Sequence, residues 1–283
     1  MGYGDFLAET VKQNVGLIDR WIIVTSEADE KTRGVCHAHD LEVLVSEDHA
    51  RDGGDRGEGA FNKGRMVQRA LQMVSQDAWR LHLDADIVLP VQFRRLLEGA
   101  HLDKRKLYGC DRVMVRSWEE WQVARRSGWM PHSHCNINMP KGRDVGSRWA
   151  LHDTGYVPIG FFQLWHAQSD EHKGRRFRKY PIAHGAAHRT DVQFALQWDR
   201  RDRELLPEVV VVHLESEPCA LGANWLGRKT KPFGPHPEGL PSRHVTEDRS
   251  VIPTPGTLWV RDSRATPGAC RGTRIDPSGR ACS

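Results

Sequence analysis

Short β-branched runs alternate with helical patterns along much of this 283-residue sequence. Apolar residues recur at helical spacing before the run Trp21–Thr25, and a second apolar run covers Leu41–Val45. An amphipathic stripe then extends from Gly64 to about Val74. Strands that are separated by helices favour a mostly parallel sheet. The sequence therefore predicts an α/β fold in which helices flank a mostly parallel central sheet.

Later segments continue the alternation. The further strand-like runs are Trp79–Leu89, Leu107–Val115, Gly160–Trp165 and Glu208–Leu214. Ser117 and Glu120 have the spacing of a capping box and predict the start of a helix there. Another helix is expected to begin near Thr190 or Asp191.

Composition divides the chain into two parts. Residues 1–233 carry the alternating pattern and are predicted to form one domain. Residues 234–283 are rich in Pro, Gly and Arg, so we expect a poorly ordered C-terminal extension. Within the first part, residues 129–154 are irregular and rich in His, Gly, Pro and Asn, which predicts a loop over a sheet edge.

Charge and apolar content restrict the location of the protein. No run approaches the roughly 20 apolar residues that cross a bilayer, and the first residues lack the pattern of a secretion signal, so we expect a cytoplasmic location. The six cysteines lack short CxxC spacing, which favours reduced thiols. The net charge of +4 is mild, but the stretch Lys173–Lys179 is strongly basic. Such a stretch indicates either a solvated loop or a surface for a polyanion.

Two short segments combine histidine with cysteine. They are CHAHD, with Cys36, His37 and His39, and HSHC, with His132, His134 and Cys135. Neither has the spacing of a zinc finger. This favours ordinary loop residues, and a structural zinc site is the alternative.

An acidic pair follows one of the apolar runs. Asp84 and Asp86 stand at the end of LHLDAD, and ligands of open α/β sheets collect at the carboxyl ends of strands. Carboxylate oxygens beside a nucleotide diphosphate suit Mn²⁺ or Mg²⁺, which stabilises the departing diphosphate when a sugar bond breaks. The alternative is a solvated strand end.

His213 follows the run EVVVV and is the candidate third metal ligand, because imidazole binds Mn²⁺-like ions. A structural histidine is the alternative. The glycine-bearing segment that follows is basic, with Arg228, Lys229 and Lys231. These cations suit a diphosphate, Lys231 being the favoured one, although a basic surface loop has the same composition.

These segments resemble glycosyltransferases of the GT-A fold, near the family-2-like and polypeptide-GalNAc-transferase-like branches. The resemblance extends from about Tyr3 to Phe233. GDFLAETVKQN with IIVTSEAD resembles the first helix and second strand of such enzymes, FNKGRMVQRAL their asparagine-glycine segment, and HLDADIVLP their metal strand. The resemblance implies a Rossmann-like GT-A fold, a nucleoside diphosphate sugar as donor, and Mn²⁺ or Mg²⁺ as cofactor.

The resemblance also implies roles for individual residues. Asp84 would contact the nucleotide ribose or the metal, while Asp86 and His213 would bind the metal. The implied donor site comprises Asn62, Lys63, Arg65, Asp84, Arg228 and Lys231.

The segment HGAAHRTDVQFALQW resembles the start of the catalytic helix of inverting members. Asp191 would then be the general base for the acceptor hydroxyl, with Thr190 in place of the family's acidic neighbour. A simple helix cap is the alternative. PIGFFQLWH resembles the strand beneath the acceptor site, so Gln163 and Trp165 would touch the acceptor or the donor sugar, with core packing as the alternative.

The start of the chain departs from the family pattern. GT-A chains usually begin with a strand whose end contacts the nucleobase, whereas this sequence begins directly at YGDFLAET. We expect either a truncated start that lacks the first strand or a sheet rebuilt from another segment.

Together these expectations describe a metal-dependent, inverting glycosyltransferase. A retaining enzyme of the same fold is the first alternative, because His213 and the segment KPF, which begins at Lys231, resemble a His and Lys-Pro-aromatic element that also occurs in retaining families. A nucleotidyltransferase would need an N-terminal glycine-rich loop, and none is visible. A non-catalytic module that binds nucleic acid or glycan through the basic stretch is the third alternative. The expected acceptor is a glycan or a lipid-linked intermediate, with modified DNA as another candidate.

Overall fold

The computed structural model describes residues 2–47, 62–126, 150–151, 155–169, 178–182, 190–217 and 230–235. Contacts along the chain group Met1–Pro235 into one unit and His236–Ser283 into a second. The second unit lies outside the described residues, as does most of the segment 129–154. The C-terminal extension and the loop over a sheet edge therefore stay predictions.

The described residues form six α-helices, of which four lie close to where the sequence patterns predict them and two, at residues 30–38 and 93–99, match no prediction. They are α1 (Gly4–Asn14), α2 (Glu30–Ala38), α3 (Lys63–Met73), α4 (Phe93–Gly99), α5 (Trp118–Arg126) and α6 (Thr190–Ala195). The predicted cap of α5 is confirmed, because Glu120 N donates to Ser117 Oγ at 3.2 Å. The Glu120 carboxylate accepts in return from Arg116 N, one residue before the expected donor. No helix in these ranges has both the length and the apolarity that crossing a bilayer requires.

In the described residues the strands form one large sheet and two small ones. In chain order they are β1 (Ile22–Thr25), β2 (Glu42–Val45), β3 (Trp79–Leu83), β4 (Ile87–Val88), β5 (Leu107–Val115), β6 (Ala150–Leu151), β7 (Gly155–Tyr156), β8 (Phe162–His166) and β9 (Arg203–Leu214). The main sheet has the order β3-β8-β5-β9-β4, while β1 pairs with β2 and β6 pairs with β7. The fold is therefore mixed α/β with a five-stranded sheet.

The prediction of a mostly parallel sheet is wrong for the main sheet. Among its described strand pairs only β5–β9 is parallel, and β8 runs antiparallel to both of its neighbours, β3 and β5. The prediction assumed a helix between successive strands. Instead, β3 passes through a tight turn into β4, and β7 leads into β8 through residues 157–161 without a helix. Parallel neighbours need a long crossover connection, usually a helix, whereas strands joined by short connections can be antiparallel.

Both faces of the main sheet are covered. One apolar cluster combines Val210, Val212 and Leu214 of β9 with Phe6 of α1 and Trp121 of α5, and the other combines Val209 and Val211 with Phe93 of α4 and Phe162 of β8. Successive side chains of a strand point to opposite faces. The uninterrupted run EVVVV therefore reflects a central strand that is buried on both sides.

Gly64 allows α3 to pack directly against the segment 178–182. A Cβ atom at Gly64 would overlap the backbone carbonyl oxygen of Pro181. We expect Gly64→Ala to lower the free energy of unfolding by about 3 kcal/mol, because the obstructing atom belongs to the backbone and cannot rotate away. Urea denaturation of the purified protein measures this change.

Gly34→Ala is the matched control for that substitution. Gly34 lies within α2, and a Cβ atom there would meet no atom within 4 Å. We expect a gain of about 0.5–1 kcal/mol, since alanine is the better helix former. Equal changes in the two variants would contradict the packing of α3 on Pro181.

Candidate functional site

The acidic pair lies in the turn between β3 and β4. Ile87 N donates to the carbonyl oxygen of Asp84 at 3.2 Å, which closes the turn. Ile87 also pairs with His213 on β9. This register brings His213 Nε2 to 3.4 Å from Asp86 Oδ2. Strand pairing therefore places His213 beside the acidic turn, although the two segments are distant in the sequence.

Helix α1 fixes the backbone of this turn. Thr10 Oγ1 donates to the carbonyl oxygen of Ala85 at 2.8 Å. Asn14 Nδ2 donates to the carbonyl oxygen of Ile87 at 2.8 Å, and Leu89 N donates to Asn14 Oδ1 at 2.9 Å. Thr10 and Asn14 are fully buried, so these bonds form away from water. Two polar residues of α1 thus hold the segment that carries the acidic pair.

Removal of the Asn14 side chain is expected to be costly. Asn14→Ala leaves the N–H of Leu89 and the carbonyl of Ile87 without these partners, and each unsatisfied buried group costs about 1–3 kcal/mol. We expect the free energy of unfolding to fall by about 3 kcal/mol. Gln13→Ala, one residue earlier on α1, is the control and should change it by less than about 0.5 kcal/mol. Similar losses in both variants would show that α1 does not depend on this contact.

A lysine and a histidine flank Asp84. Lys63 Nζ donates to Asp84 Oδ1 at 2.8 Å, and His82 Nε2 lies 3.7 Å from the same oxygen. Burial acts to raise the pKa of Asp84, but the charge and the hydrogen bond of Lys63, together with the neighbouring His82 and His213, outweigh it, and the pKa lies below its ordinary value. Burial, reinforced by the Lys63 charge, lowers the pKa of His82 to about 4. At neutral pH Asp84 is therefore ionised and His82 is uncharged.

Asp191 lies in the first turn of α6, where the sequence predicts the base. Gly160 N donates to Asp191 Oδ2 at 2.6 Å, and Val192 N donates to Oδ1 at 2.8 Å. Burial raises the pKa of Asp191, and the positive charge of Lys63 offsets this only in part. The carboxylate is thus held by two backbone donors and has the raised pKa that suits a general base.

Lys63 connects Asp191 with the acidic pair. A Cβ atom at Gly160 would lie 2.8 Å from Asp191 Oδ2 and 3.0 Å from Lys63 Nζ, so the two side chains meet at this glycine. Burial alone would lower the pKa of Lys63, but the charges of Asp84, Asp191 and Asp86 raise it above its ordinary value. The ammonium group therefore stays charged among carboxylates that come from different parts of the chain.

A buried arginine that the sequence reasoning missed lies on the other side of the turn. Arg112 of β5 donates from Nη1 to His213 Nδ1 at 2.9 Å, and its guanidinium carbon lies 4.7 Å from the centre of the Phe161 ring. Burial lowers the pKa of Arg112 from its very high ordinary value. The signal was present in LYGCDRVMV, where Asp111 and Arg112 interrupt an otherwise apolar strand.

A buried hydrogen-bond network lies behind His82. Tyr180 donates from its hydroxyl to Gln163 Oε1 at 2.9 Å, and His82 Nδ1 lies 2.9 Å from the same hydroxyl oxygen. Gln163 Nε2 donates in turn to the carbonyl oxygens of Pro158 at 3.0 Å and Asp191 at 2.9 Å. The network thus joins β3, β8 and α6. Sequence reasoning missed Tyr180 and His82 because their partners are distant in the sequence.

Core packing describes Gln163 and Trp165 better than the predicted contact with an acceptor. Gln163 is 0% exposed and Trp165 is 1% exposed. Trp165 packs edge-on against Phe194, with ring centres 4.9 Å apart. Neither side chain offers surface to an acceptor in this structure.

The predicted donor-site residues of α3 begin that helix. Asn62 Oδ1 accepts from Arg65 N at 2.9 Å, and Asn62 Nδ2 donates to the carbonyl oxygen of Ile182 at 3.3 Å. Asn62 is buried, so it caps α3 and ties it to the segment 178–182. Arg65 lies two residues after Lys63 on the same helix and is partly buried.

The basic segment after β9 is described only in part. Lys231 Nζ forms an ion pair with the Glu217 carboxylate at 2.7 Å. The lysine that the sequence favours for binding a diphosphate therefore already has an acidic partner. Phe233 stacks on Phe6 of α1, with ring centres 4.6 Å apart. Arg228 lies outside the described residues.

The basic stretch Lys173–Lys179 and the two segments that combine histidine with cysteine do not form a site in the residues that the structure describes. Arg178 of the basic stretch is buried, with its guanidinium carbon 3.8 Å from the centre of the Trp198 ring, so it belongs to the core. Cys36 and Cys110 are unpaired and buried. His37 is exposed, so it points away from its buried neighbour Cys36. The HSHC segment lies outside the described residues.

The carboxylates of the turn fit a hard divalent cation, whereas His213 does not fit as its ligand. Asp86 is buried, and its Oδ1 accepts no hydrogen bond from the described residues. Such an oxygen suits a cation or water bound to one. His213 Nδ1 accepts from Arg112, so a neutral ring carries its hydrogen on Nε2, the nitrogen that faces Asp86. In the described part of the chain, no group of three or more His, Cys, Asp and Glu side chains is arranged to hold a metal ion.

Comparison with models of known protein families and with curated protein sequences finds no match to this chain. The assignment of the site therefore depends on the contacts described above.

Proposed function

We propose that this protein is a metal-dependent glycosyltransferase of the GT-A fold, which moves a sugar from a nucleoside diphosphate sugar to an acceptor hydroxyl with inversion. The observation that carries the proposal is the convergence of Asp84 and Asp191 on Lys63. One carboxylate there has a lowered pKa and the other a raised pKa. Active sites often contain two carboxylates with pKa values shifted in opposite directions. In such sites one carboxylate stabilises charge and the other transfers a proton.

Asp191 is the base in this mechanism. The backbone N–H groups of Gly160 and Val192 fix the orientation of its carboxylate. In its ionised form it accepts the proton of the acceptor hydroxyl while that oxygen forms a bond to the anomeric carbon. The bond from the anomeric carbon to the diphosphate oxygen breaks, and its electron pair leaves with the diphosphate. Attack from the opposite face inverts the anomeric configuration.

The acidic turn serves the leaving group. Asp84 and Asp86 would hold Mn²⁺ or Mg²⁺, which neutralises the diphosphate and stabilises it as it departs. Lys63 keeps Asp84 ionised and oriented through the hydrogen bond to Oδ1. Thr10 and Asn14 keep the turn itself in place.

The partners in this proposal are a nucleoside diphosphate sugar as donor and a glycan or lipid-linked hydroxyl as acceptor, with a modified DNA base as the other candidate acceptor. Burial of Arg178 against Trp198 argues against the binding module that would use the whole basic stretch. Inversion and retention are separated by the anomeric configuration of the product.

A panel of nucleoside diphosphate sugars tests the proposal. Each is incubated with the full chain and Mn²⁺, and release of free sugar and a rise in melting temperature are measured. Ligands that bind the folded state stabilise it by about 2.7 kcal/mol at 100 times their Kd. We expect one donor to produce both effects in the presence of Mn²⁺ and neither after chelation. Absence of both effects across the panel would contradict the proposed function.

A further inference from the structure

Hydrogen bonds fix the tautomer of His213. Arginine donates hydrogen bonds and accepts none. Because Arg112 Nη1 lies 2.9 Å from His213 Nδ1, that nitrogen is the acceptor. The neutral ring therefore carries its hydrogen on Nε2, which lies 3.4 Å from Asp86 Oδ2. His213 thus directs an N–H group at Asp86, and its lone pair is used by Arg112.

His82 is fixed in the opposite tautomer by the buried network. Gln163 Nε2 donates to the carbonyl oxygens of Pro158 and Asp191, which sets the orientation of the amide. Gln163 Oε1 then accepts the single hydrogen of the Tyr180 hydroxyl. Since that hydrogen is used, His82 Nδ1 has to donate, and the hydroxyl oxygen at 2.9 Å is a nearer acceptor than Gln163 Oε1 at 3.4 Å. The Nε2 atom of His82 therefore keeps its lone pair.

The lone pair of His82 lies beside the acidic turn. His82 Nε2 is 3.7 Å from Asp84 Oδ1. Two atoms that bind the same cation at about 2.1 Å each are separated by roughly 3–4 Å, so this spacing suits one shared ion. Metal-binding histidines also donate their second ring N–H to a partner that orients the ring. Tyr180 is such a partner for His82.

We propose that His82, together with Asp84, binds the divalent cation of this site, and that His213 positions Asp86 without binding the ion. The inference rests on the cation site of the proposed glycosyltransferase, and it assigns the imidazole ligand to a different histidine. Because His213 faces Oδ2 of Asp86, the unpaired Oδ1 stays available to the cation or to its bound water.

Lys63 is compatible with this arrangement. Its ammonium hydrogen-bonds Asp84 Oδ1, the oxygen nearest to His82. Asp191 also lies next to Lys63, as their common approach to Gly160 shows. The ammonium therefore stays close to a second carboxylate when a cation takes Asp84.

Pulsed electron paramagnetic resonance with Mn²⁺ alone tests the ligand assignment. An imidazole nitrogen bound to Mn²⁺ modulates the electron spin echo, whereas a histidine outside the coordination sphere does not. We expect the modulation in the unaltered protein and in His213→Gln, and its loss in His82→Gln. His37→Gln, which changes an exposed histidine of α2, is the control and should keep the signal.

A second pair of variants tests the same idea without changing a histidine. Tyr180→Phe removes the hydroxyl that accepts from His82, so we expect Mn²⁺ binding to weaken about 10- to 100-fold. Tyr108→Phe removes a comparable bond, in which Asp103 N donates to the Tyr108 hydroxyl at 2.7 Å, and should leave Mn²⁺ binding unchanged. Calorimetric titration with Mn²⁺ measures both.

The outcomes separate this inference from the proposed function. Bound Mn²⁺ without nitrogen modulation in the unaltered protein overturns the role of His82 and leaves the carboxylate site intact. The same holds if modulation disappears in His213→Gln and persists in His82→Gln. Equal weakening in Tyr180→Phe and Tyr108→Phe also overturns it. Absence of Mn²⁺ binding in the unaltered protein removes both this inference and the cation site of the proposed function.

Discussion

Asp86→Asn is expected to lower Mn²⁺-dependent turnover of the nucleotide sugar by about 1000-fold or more. Asparagine has the shape of aspartate and can still face His213, but it lacks the charge that binds a divalent cation. A bound cation supplies several kcal/mol of charge stabilisation in the transition state, and each 1.36 kcal/mol corresponds to a factor of ten in rate. Steady-state rates across a Mn²⁺ titration measure the effect.

Asp103→Asn is the control for that substitution. Asp103 also forms an ion pair, with Arg105. It lies just before β5, whereas the acidic turn lies near the C-terminal end of that strand, so the substitution is remote from the site. We expect turnover in this variant to match that of the unaltered protein. If Asp86→Asn retains full turnover at every Mn²⁺ concentration, Asp86 is not part of a cation site.

Asp191→Asn is expected to lower kcat by about 100- to 10,000-fold while Mn²⁺ and donor binding persist. The amide cannot accept a proton from the acceptor hydroxyl, but it leaves the acidic turn unchanged. Binding is followed by thermal stabilisation and kcat by product formation. Loss of donor binding together with kcat would instead indicate that Asp191 acts in the donor site, and full activity would exclude it as the base.

The pH dependence of the unaltered protein gives a second readout of Asp191. Burial raises the pKa of Asp191 above its ordinary value of 3.8. The base is active in its ionised form, so activity is present above this raised pKa and falls as the pH decreases through it. The acidic limb of the rate profile should therefore lie at a higher pH than an exposed aspartate would give. Asp191→Asn should lose this limb from its residual activity.

Local features of the fold could be predicted from the sequence because they depend on neighbouring residues. The bounds of β5, Leu107–Val115, agree with the prediction, since nine largely apolar residues between polar flanks suit a buried strand. The cap at Ser117 depends on a spacing of three residues. The position of the acidic pair at the end of β3 likewise follows from the strand that precedes it.

The direction of β8 could not be predicted in this way. An apolar strand of this length has the same pattern whether it runs parallel or antiparallel, and whether it lies at an edge or in the centre of a sheet. The structure places β8 between β3 and β5. This central position buries Gln163 and Trp165, which is why the expectation of acceptor contacts agrees poorly with the structure.

The surroundings of the acidic turn also depend on distant partners. Tyr180 and Arg112 acquire their roles only because His82 and His213 approach them across the fold. Asp111 and Arg112 in the middle of β5 were a usable signal of a polar site. Charged side chains are rarely buried in a strand unless they have partners there. Tyr180 carried no such signal, because a tyrosine suits a core or a surface equally well.

Helix α1 contacts the segment 230–235 at one end and the acidic turn at the other, and so connects the two. Near its start, Asp5 accepts from Phe233 N and Phe6 stacks on the Phe233 ring. At its last residue, Asn14 holds Ile87 and Leu89. A helix of 11 residues behaves as a rod of about 16 Å. We therefore expect a displacement of residues 230–235 to be passed along α1 to the acidic turn, so that the contacts of Phe233 help to position the carboxylates.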